Sequence, residues 1–416
     1  MDPLTRRRFL LASTAAGGAA AVAAGGIGLA ELLSTARERG SAPDDRTGRL
    51  VVVTLYGGND GLNTVVPYAD AAYHSARPEL AYEPERVLRL DDALGLNPVL
   101  TGLKRLWDRE QVGIVLGVGY PRPDRSHFRS MDIWQTASPA QPVATGWVGR
   151  WLDGTGASAE AAVSFEPVLP PLLVGERRSG ACVAIGGLRL PPGVDTGMVA
   201  ALGEVQDGES ELQVRAAQAY RDLLDVDSLV RQADHREATT DPADRPVATA
   251  TGGAVSLAAQ LALVARCVEA GVPTRVFSVS LGGFDTHAQE RVGQEALLGR
   301  LDEALSSFVD RLGRTAAGRR VTVVVYSEFG RRVRANASDG TDHGTAGPVF
   351  VLGPRVAGGF HGEQPSLTDL DAGDLKATTD FRDVFGALLA TVLHAEPSRY
   401  LGGYLPKPLS LLRADG

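Results

Sequence analysis

Four largely apolar runs punctuate the chain, at residues 50–55, 112–118, 275–281 and 321–326. They are rich in valine and have the length of β-strands. A strand with one face in water alternates apolar and polar residues, whereas a continuous apolar run indicates burial on both faces, as in a parallel sheet. A shorter run at residues 349–352 predicts one further strand.

Amphipathic helices are predicted between these strands. Apolar residues recur at helical spacing in residues 98–109, 253–270, 288–312 and 380–394, which indicates helices with one buried face. Strand, helix and strand in succession form crossover units that return the chain to the same sheet. The pattern therefore predicts an α/β fold: a doubly wound, mostly parallel sheet with helices on both faces.

The pattern loosens at residues 141–246, where short apolar pieces alternate with prolines. We interpret this stretch as an inserted cap region, with one helix predicted at residues 212–230 and a polar linker at residues 234–245. Residues 49–410 are predicted to form a single α/β domain that contains this insertion.

The N-terminus has the features of an export signal. Arg6, Arg7 and Arg8 precede an alanine- and glycine-rich run that extends to about residue 33. We therefore expect a twin-arginine signal peptide at residues 1–36, recognition by the twin-arginine export machinery, and a periplasmic or extracellular protein. The run is poorly apolar for an anchor, so no stable membrane span is expected in the mature form. Retention of the segment as a membrane helix is the alternative.

Composition narrows the possible partners. The 416 residues carry a formal net charge of −8 and the sequence pI is about 5.5, so no general basic field favours nucleic acid. Only two cysteines are present, Cys182 and Cys267, and no CxxC motif occurs. The sequence leaves open whether the two cysteines form one disulfide or are separate buried thiols.

Polar, chemically versatile residues follow four of the predicted strands. They are Asp60, Ser126 with His127, Asp285 with His287, and Glu328, and the loop beyond holds Asp342, His343 and His361. The carboxyl ends of parallel strands meet at one edge of a sheet, where such proteins bind ligands. Any one of these histidines can be explained by a local hydrogen bond. Several of them together predict a shared site for divalent metal ions, which take carboxylate and imidazole ligands.

This residue set suits the hydrolysis of phosphate or sulfate esters. That reaction requires charge on the transferring group to be neutralised and a nucleophile to be activated, which two divalent ions do together. Ser126 has the hydroxyl best placed to be the nucleophile. Arg125, or Arg129, is the candidate for holding the oxygens of the transferring group, and His127 is a further catalytic candidate.

The motifs together resemble a bacterial family of unknown function named DUF1501, which is placed in the alkaline phosphatase and sulfatase superfamily. They are residues 57–63, 125–128, 283–287, 327–331 and 342–344. The resemblance implies a doubly wound α/β core with a two-metal site. It would make Asp60, Ser126, Asp342 and His343 contacts of one metal, and Asp285, His287 and His361 ligands of the second. Glu328 is the alternative to Asp342 as the ligating carboxylate.

The resemblance and the residues lead to the same expected function, an exported metal-dependent hydrolase of phosphate or sulfate esters, with small molecules or glycans as substrates. The cofactor is expected to be two divalent ions, with zinc, manganese, calcium and magnesium all acceptable. The sulfatase modification motif is absent at residues 126–130, which disfavours formylglycine chemistry. The alternative is a non-catalytic envelope protein that keeps the fold to bind a partner or a glycan.

Overall fold

A nine-stranded sheet organises the protein. The computed structural model describes residues 48–166, 168–183, 196–205, 213, 217 and 255–413. The sheet strands are β1 (Arg49–Leu55), β5 (Val112–Gly119), β6 (Ala162–Ser164), β7 (Ala181–Cys182), β8 (Val276–Leu281), β9 (Val321–Ser327), β10 (Gly347–Leu352), β11 (Gly359–His361) and β14 (Thr379–Asp380). Two small sheets contain β2 (Val65–Val66), β3 (Leu88–Arg89) and β4 (Gly95–Leu96), and β12 (Leu370–Asp371) and β13 (Asp374–Leu375).

Helices occupy the intervals between the strands. They are α1 (Gly61–Thr64), α2 (Ala71–Ala76), α3 (Thr101–Asp108), α4 (His127–Thr136), α5 (Trp147–Thr155), α6 (Thr196–Gly203), α7 (Leu257–Glu269), α8 (Glu290–Leu312) and α9 (Phe381–Thr391). The five predicted strands and the four predicted amphipathic helices are all present, with ends shifted by a few residues.

The sheet has the order β11-β5-β10-β9-β1-β8-β6-β7, and β14 extends β5 on the same side as β11. β1 lies between β8 and β9 and is parallel to both. β10 is antiparallel to β9 and to β5, so those two strands share one direction. The carboxyl ends of β1, β5, β8 and β9 therefore lie along one edge of the sheet. The predicted fold class, a mostly parallel α/β sheet, is confirmed.

Both faces of the sheet are covered by helices. Val51 and Val53 of β1 belong to one buried cluster, which includes apolar residues of α3, α7 and α8. Leu50 and Val52 point to the other face and belong to a cluster with residues of α4, α5 and α9. Adjacent residues of one strand thus enter two separate cores, which explains why these strands lack an alternating pattern.

The first part of the predicted insertion belongs to the main sheet. Within residues 141–246, β6 pairs in parallel with β8, and β7 pairs in parallel with β6. Trp147 of α5 is fully buried in the core on the α9 face. Strands of two or three residues are too short to produce a recognisable hydrophobic pattern. The domain boundaries stay a prediction, because the proposed linker and most of the predicted helix at residues 212–230 lie outside the described residues.

The predicted signal peptide also lies outside the described residues. Along the described part of the chain, no helix is both long enough and apolar enough to cross a membrane. Cys182 and Cys267 are both free thiols, which answers the question that the sequence left open. Cys267 is fully buried in α7 among apolar residues.

Candidate metal centre

Loops that follow β1, β8 and β9 are packed against one another at the carboxyl edge of the sheet. Gly57 and Gly58 follow β1 with positive φ angles of 115° and 71°. A Cβ atom on Gly57 would lie 2.5 Å from the backbone nitrogen of Asp285, and one on Gly58 would lie 2.3 Å from the ring of Phe329. These two positions therefore require glycine, both for backbone conformation and for space.

Four side chains of types that can bind a metal ion lie close together beside these loops. One ligand atom from each of His127, Asp285 and His343 lies within 4.8 Å of the other two. His287 joins them, because its Nε2 atom lies 2.9 Å from Asp285 Oδ1 and 3.0 Å from His343 Nε2. Asp285 Oδ1 is also 3.0 Å from His343 Nε2 and 3.5 Å from His127 Nε2. Three imidazole Nε2 atoms thus lie within 3.5 Å of Asp285 Oδ1, and the space that they share is the candidate metal position. His287 lies at the margin, because among the described residues only His127, Asp285 and His343 form a group whose ligand atoms all lie within 4.8 Å of one another.

Each of the three imidazoles faces an acceptor on its opposite, Nδ1 side. His127 Nδ1 lies 2.8 Å from Glu328 Oε1, and His343 Nδ1 lies 2.9 Å from the carbonyl oxygen of Arg125. His287 Nδ1 lies 3.5 Å from Asp342 Oδ1. A neutral histidine that donates from Nδ1 presents an unprotonated lone pair at Nε2. The surroundings therefore favour the tautomer in which all three Nε2 lone pairs face the candidate metal position.

These distances match the spacing of ligands around one metal ion. Zinc–nitrogen bonds of about 2.0–2.1 Å in a tetrahedron place neighbouring ligand atoms about 3.3 Å apart. Asp285 Oδ1 lies 2.9–3.5 Å from the three Nε2 atoms, and the Nε2 atoms of His287 and His343 are 3.0 Å apart. His127 Nε2 is buried and has no hydrogen-bond partner among the described residues. A cation at the candidate metal position would satisfy that atom and separate lone pairs that otherwise repel.

The Asp285 carboxylate is kept ionised by a buried arginine. Burial acts to raise the pKa of Asp285, but Arg331, which donates to Asp285 Oδ1 at 2.8 Å, and the neighbouring His343 outweigh it and lower the pKa to about 2. Arg331 is itself buried and also donates to the carbonyl oxygens of Gly57, Gly58 and Phe284. Arg331 therefore ties the loops after β1 and β8 to its own loop while it supplies charge to Asp285.

The two carboxylates that the sequence could not choose between both lie behind the histidines. Glu328 is 1% exposed, and it accepts hydrogen bonds from the backbone N–H of Gly57 at 2.9 Å as well as from His127. That hydrogen bond to Glu328 is the main reason why the pKa of His127 is raised. Asp342 stands behind His287 and accepts from Asn336 Nδ2 at 3.3 Å. Both carboxylates orient imidazoles, a common supporting arrangement in metal sites.

Asp60 is not brought to the metal ligands. It is fully buried in an ion pair with Arg77, and its Oδ1 accepts from the backbone N–H of Leu62 at the start of α1. Although burial opposes it, the Arg77 guanidinium lowers the pKa of Asp60. Its carboxylate is therefore already used by a buried cation, and we remove Asp60 from the expected ligand set.

His361 is also placed elsewhere. It lies on β11, where it pairs with Val115 of β5, and its Nε2 atom lies 2.9 Å from the carbonyl oxygen of Ala357. Val115 is four residues before the end of β5 at Gly119, which corresponds to about 13 Å along the strand. The loop position that the sequence indicated is in fact a strand, so we remove His361 from the expected ligand set as well.

The remaining candidates lie beside the centre. Ser126 is exposed and caps α4, yet its hydroxyl makes no capping hydrogen bond. Its neighbour His127, which the sequence suggested as a further catalytic candidate, is here part of the proposed ligand group. The side chain of Arg125 is held by the buried carboxylate of Asp374, so its guanidinium is not free. Phe128 follows and is 83% exposed.

Sequence reasoning missed two buried arginines, Arg77 and Arg331, which hold the loops in place. No spacing rule links Arg77 to Asp60, and a charged residue in a loop is usually predicted to face solvent. The signal that the sequence offered was position, because Arg331 directly follows Glu328–Gly330 within one of the motifs.

Comparison with known proteins gives a family and distant structural likenesses. The model of the family described as "Protein of unknown function (DUF1501)" matches residues 118–404. The search of curated proteins found no match. A protein of the alkaline phosphatase superfamily from Vibrio parahaemolyticus is 9% identical over 88% of this chain and 74% of that chain, with a TM-score of 0.34.

The phosphonate monoester hydrolase SpPMH from Silicibacter pomeroyi is likewise 9% identical, over 86% of this chain and 73% of that chain, with a TM-score of 0.36. The zinc complex of the periplasmic domain of EcEptC from Escherichia coli is 11% identical over 75% and 74%, with a TM-score of 0.32. Scores this low carry no argument about activity, so the function has to be argued from the site.

Proposed function

Because the chain belongs to the DUF1501 family, whose description assigns no activity, we propose from its own site that it is a metal-dependent hydrolase of phosphate or sulfate esters. One observation carries the proposal: Asp285 Oδ1 lies 2.9–3.5 Å from three imidazole Nε2 atoms, while the Nδ1 sides of the three rings face acceptors. Such an arrangement selects a divalent cation, and it leaves Asp285 and His287 about half exposed to a substrate.

The donor set fits one ion. His127, Asp285, His287 and His343 would hold it, and a set with three imidazoles favours zinc over calcium or magnesium, which prefer oxygen ligands. The sequence predicts two ions, but Asp60 and His361 lie away from the group. Within the part of the chain that the structure describes, no second cluster of three ligands forms. We therefore propose one resident ion.

The protein's own groups supply the rest of the chemistry. A bound divalent cation would neutralise charge on the transferring group and increase the acidity of a nucleophile beside it. Ser126 is adjacent in sequence to His127, is exposed, and has a hydroxyl without a capping role, so we assign it as the nucleophile. The first N–H groups of α4 favour an anion at this end of the helix. Arg125 contributes charge while Asp374 fixes its side chain.

Location and substrate class belong to the same proposal. Arg6–Arg8 and the alanine-rich run support export by the twin-arginine machinery to the periplasm or cell exterior. The half-exposed centre supports an ester presented by a small molecule or a glycan chain, since no deep cleft has to enclose it.

A non-catalytic envelope protein with one structural metal is the second candidate. It is favoured by the ion pair that holds the Arg125 guanidinium on Asp374, because a side chain that is already paired is less available to a substrate oxygen. In that case the metal would stabilise the fold, and the exposed face would bind a partner or a glycan.

Metal analysis combined with turnover separates these possibilities. The full chain would be purified, its zinc content measured, and hydrolysis of aryl phosphate and aryl sulfate esters followed for wild type, Ser126→Ala and His343→Ala. The hydrolase proposal predicts zinc in wild type and Ser126→Ala, and turnover only in wild type. If Ser126→Ala binds zinc and turns over as fast as wild type, Ser126 is not the nucleophile. If wild type binds zinc but hydrolyses none of the esters, the second candidate is favoured. If wild type binds no zinc, both proposals are contradicted.

A further inference from the structure

The loop that carries His343 is docked on the start of α8. The backbone N–H groups of Gln289 and Glu290 donate to the carbonyl oxygens of Ser338 and Asp339 at 3.0 and 2.9 Å. Asn336 Nδ2 donates to the carbonyl oxygen of His287 at 2.9 Å. The free N–H groups at a helix start normally need a cap or water, and here a loop bearing metal ligands satisfies them.

Two ligand-bearing segments are therefore brought together at this junction. Residues 285–287 precede α8 and supply Asp285 and His287, while residues 342–343 end the docked loop. Their approach leaves no room for a side chain at Gly340, where a Cβ atom would lie 2.3 Å from the carbonyl carbon of His287. The distance between His287 and His343 depends on how firmly the loop is held.

Glu290 lies at the centre of this contact. It is the first residue of α8, it is fully buried, and its Oε2 atom accepts a hydrogen bond from Thr341 Oγ1 at 2.5 Å. Thr341 is also buried and directly precedes Asp342 and His343. Its carbonyl oxygen accepts from Arg331 at 2.9 Å, the residue that also donates to Asp285. Glu290 is thus connected to the metal ligands through Thr341, which lies two residues before His343 and also contacts Arg331.

The surroundings of Glu290 keep it neutral. Arg77 already compensates the nearby Asp60 carboxylate, so a second buried anion there would lack a partner. Burial, followed by the negative charge of Asp60, raises the pKa of Glu290 to about 9. The protonated acid can then donate to Asp60 while it accepts from Thr341, so one neutral carboxyl group joins the end of β1 to the ligand loop.

We infer that Glu290 is a positioning residue for the metal centre: through Thr341 it fixes the His343 loop against the Asp285–His287 segment at the spacing that a metal requires. This inference rests on the proposed metal site and adds to it. Glu290 touches neither the ligand atoms nor the substrate position, so a change there alters metal affinity through geometry alone. A merely stabilising residue would lower the melting temperature without changing the zinc affinity of the folded chain.

The test compares Glu290→Gln with Glu290→Ala in the full chain. Glutamine keeps a neutral group that can both donate to Asp60 and accept from Thr341, whereas alanine removes both contacts. Zinc affinity would be measured by competition with a chromophoric chelator. We expect affinity about 10- to 100-fold weaker for alanine, the usual cost of losing an outer support of a metal site, and about the wild-type value for glutamine. Glu295→Ala, five residues later on α8, is the matched control.

Two further measurements keep the inference open to refutation. Thr341→Val removes only the hydroxyl that Glu290 holds, and we expect about 10-fold weaker zinc binding; this variant decides the matter if Glu290→Ala does not fold. Hydrogen exchange of residues 338–343 without metal should be faster in Glu290→Ala than in Glu290→Gln. Wild-type affinity in Thr341→Val, or unchanged exchange in Glu290→Ala, overturns the inference. If the wild-type chain binds no zinc, the proposed function fails, and the exchange result alone then decides whether Glu290 holds the loop.

Discussion

Substitutions at Glu328 test how a buried carboxylate supports the proposed metal ligand His127. Glu328 is buried and uses Oε1 for His127 Nδ1 at 2.8 Å and for the N–H of Gly57 at 2.9 Å, while Oε2 lies 2.9 Å from Ser327 Oγ. In Glu328→Gln the amide oxygen can keep both hydrogen bonds, and the amide nitrogen can donate to Ser327. The substitution therefore removes the negative charge behind His127 while it preserves the geometry.

The expected losses follow from that difference. Charge behind a ligating imidazole increases its basicity, and outer supports of this kind contribute 10- to 100-fold to metal affinity. We expect zinc binding about 10-fold weaker in Glu328→Gln, or about 1.4 kcal/mol. We expect about 100-fold weaker binding in Glu328→Ala, where His127 also loses its orienting contact and the N–H of Gly57 is left without its acceptor.

Chelator competition near neutral pH measures both values, and a second buried glutamate provides the control. Glu166 is fully buried between Tyr56 and Ser278 on another part of the sheet, and burial raises its pKa. Glu166→Gln changes a buried carboxyl group that contacts none of the proposed ligands, and it should leave zinc affinity unchanged. Wild-type affinity in both Glu328 variants would refute the assignment of His127 as a ligand held by Glu328.

Three other predictions test the revised roles of the remaining residues. Asp60→Asn should lower the free energy of unfolding by about 3–5 kcal/mol, because it leaves the buried Arg77 charge without its partner. Denaturant titration measures this change. If stability is unchanged and zinc binding is lost, Asp60 is a ligand after all. The pKa of Glu290 is raised from 4.5 to about 9. Its contribution to the free energy of unfolding is therefore complete below pH 4.5 and is lost as the pH rises towards 9, at up to about 1.4 kcal/mol per pH unit. Glu290→Gln should remove this slope from the pH dependence of unfolding, and a profile identical to that of wild type would contradict the prediction. His361→Ala should keep wild-type zinc affinity while His343→Ala loses it, as equilibrium dialysis would show, and equal losses would contradict the placement of His361.

The sequence predicts the frame of the site because buried parallel strands are easy to recognise. β1, β5, β8 and β9 appear as continuous apolar runs, since each is covered on both faces. Once the strands are identified, their carboxyl ends must share an edge, and the polar residues that follow them must be neighbours. That reasoning brought Asp285, His287, His343, His127 and Glu328 into one expected site, and the structure brings these five side chains together.

Individual roles could not be predicted, because they depend on partners that are distant in sequence. Asp60 looks like a ligand until Arg77 is seen to occupy its carboxylate. The choice between Glu328 and Asp342 seemed to be exclusive, whereas both stand behind histidines. His361 was expected in a loop, but its strand β11 is only three residues long and is defined by pairing with β5. Very short strands, and ion pairs between residues that are distant in sequence, hardly change the local pattern of apolar and polar residues.

The most direct test of the central claim is a diffraction measurement at the zinc absorption edge on crystals of the zinc-loaded chain. The account predicts one anomalous peak about 2.0–2.2 Å from His127 Nε2, His287 Nε2, His343 Nε2 and an oxygen of Asp285. No peak at this point, a peak bound through Nδ1 atoms, or a peak held by Asp60 or His361 would contradict it.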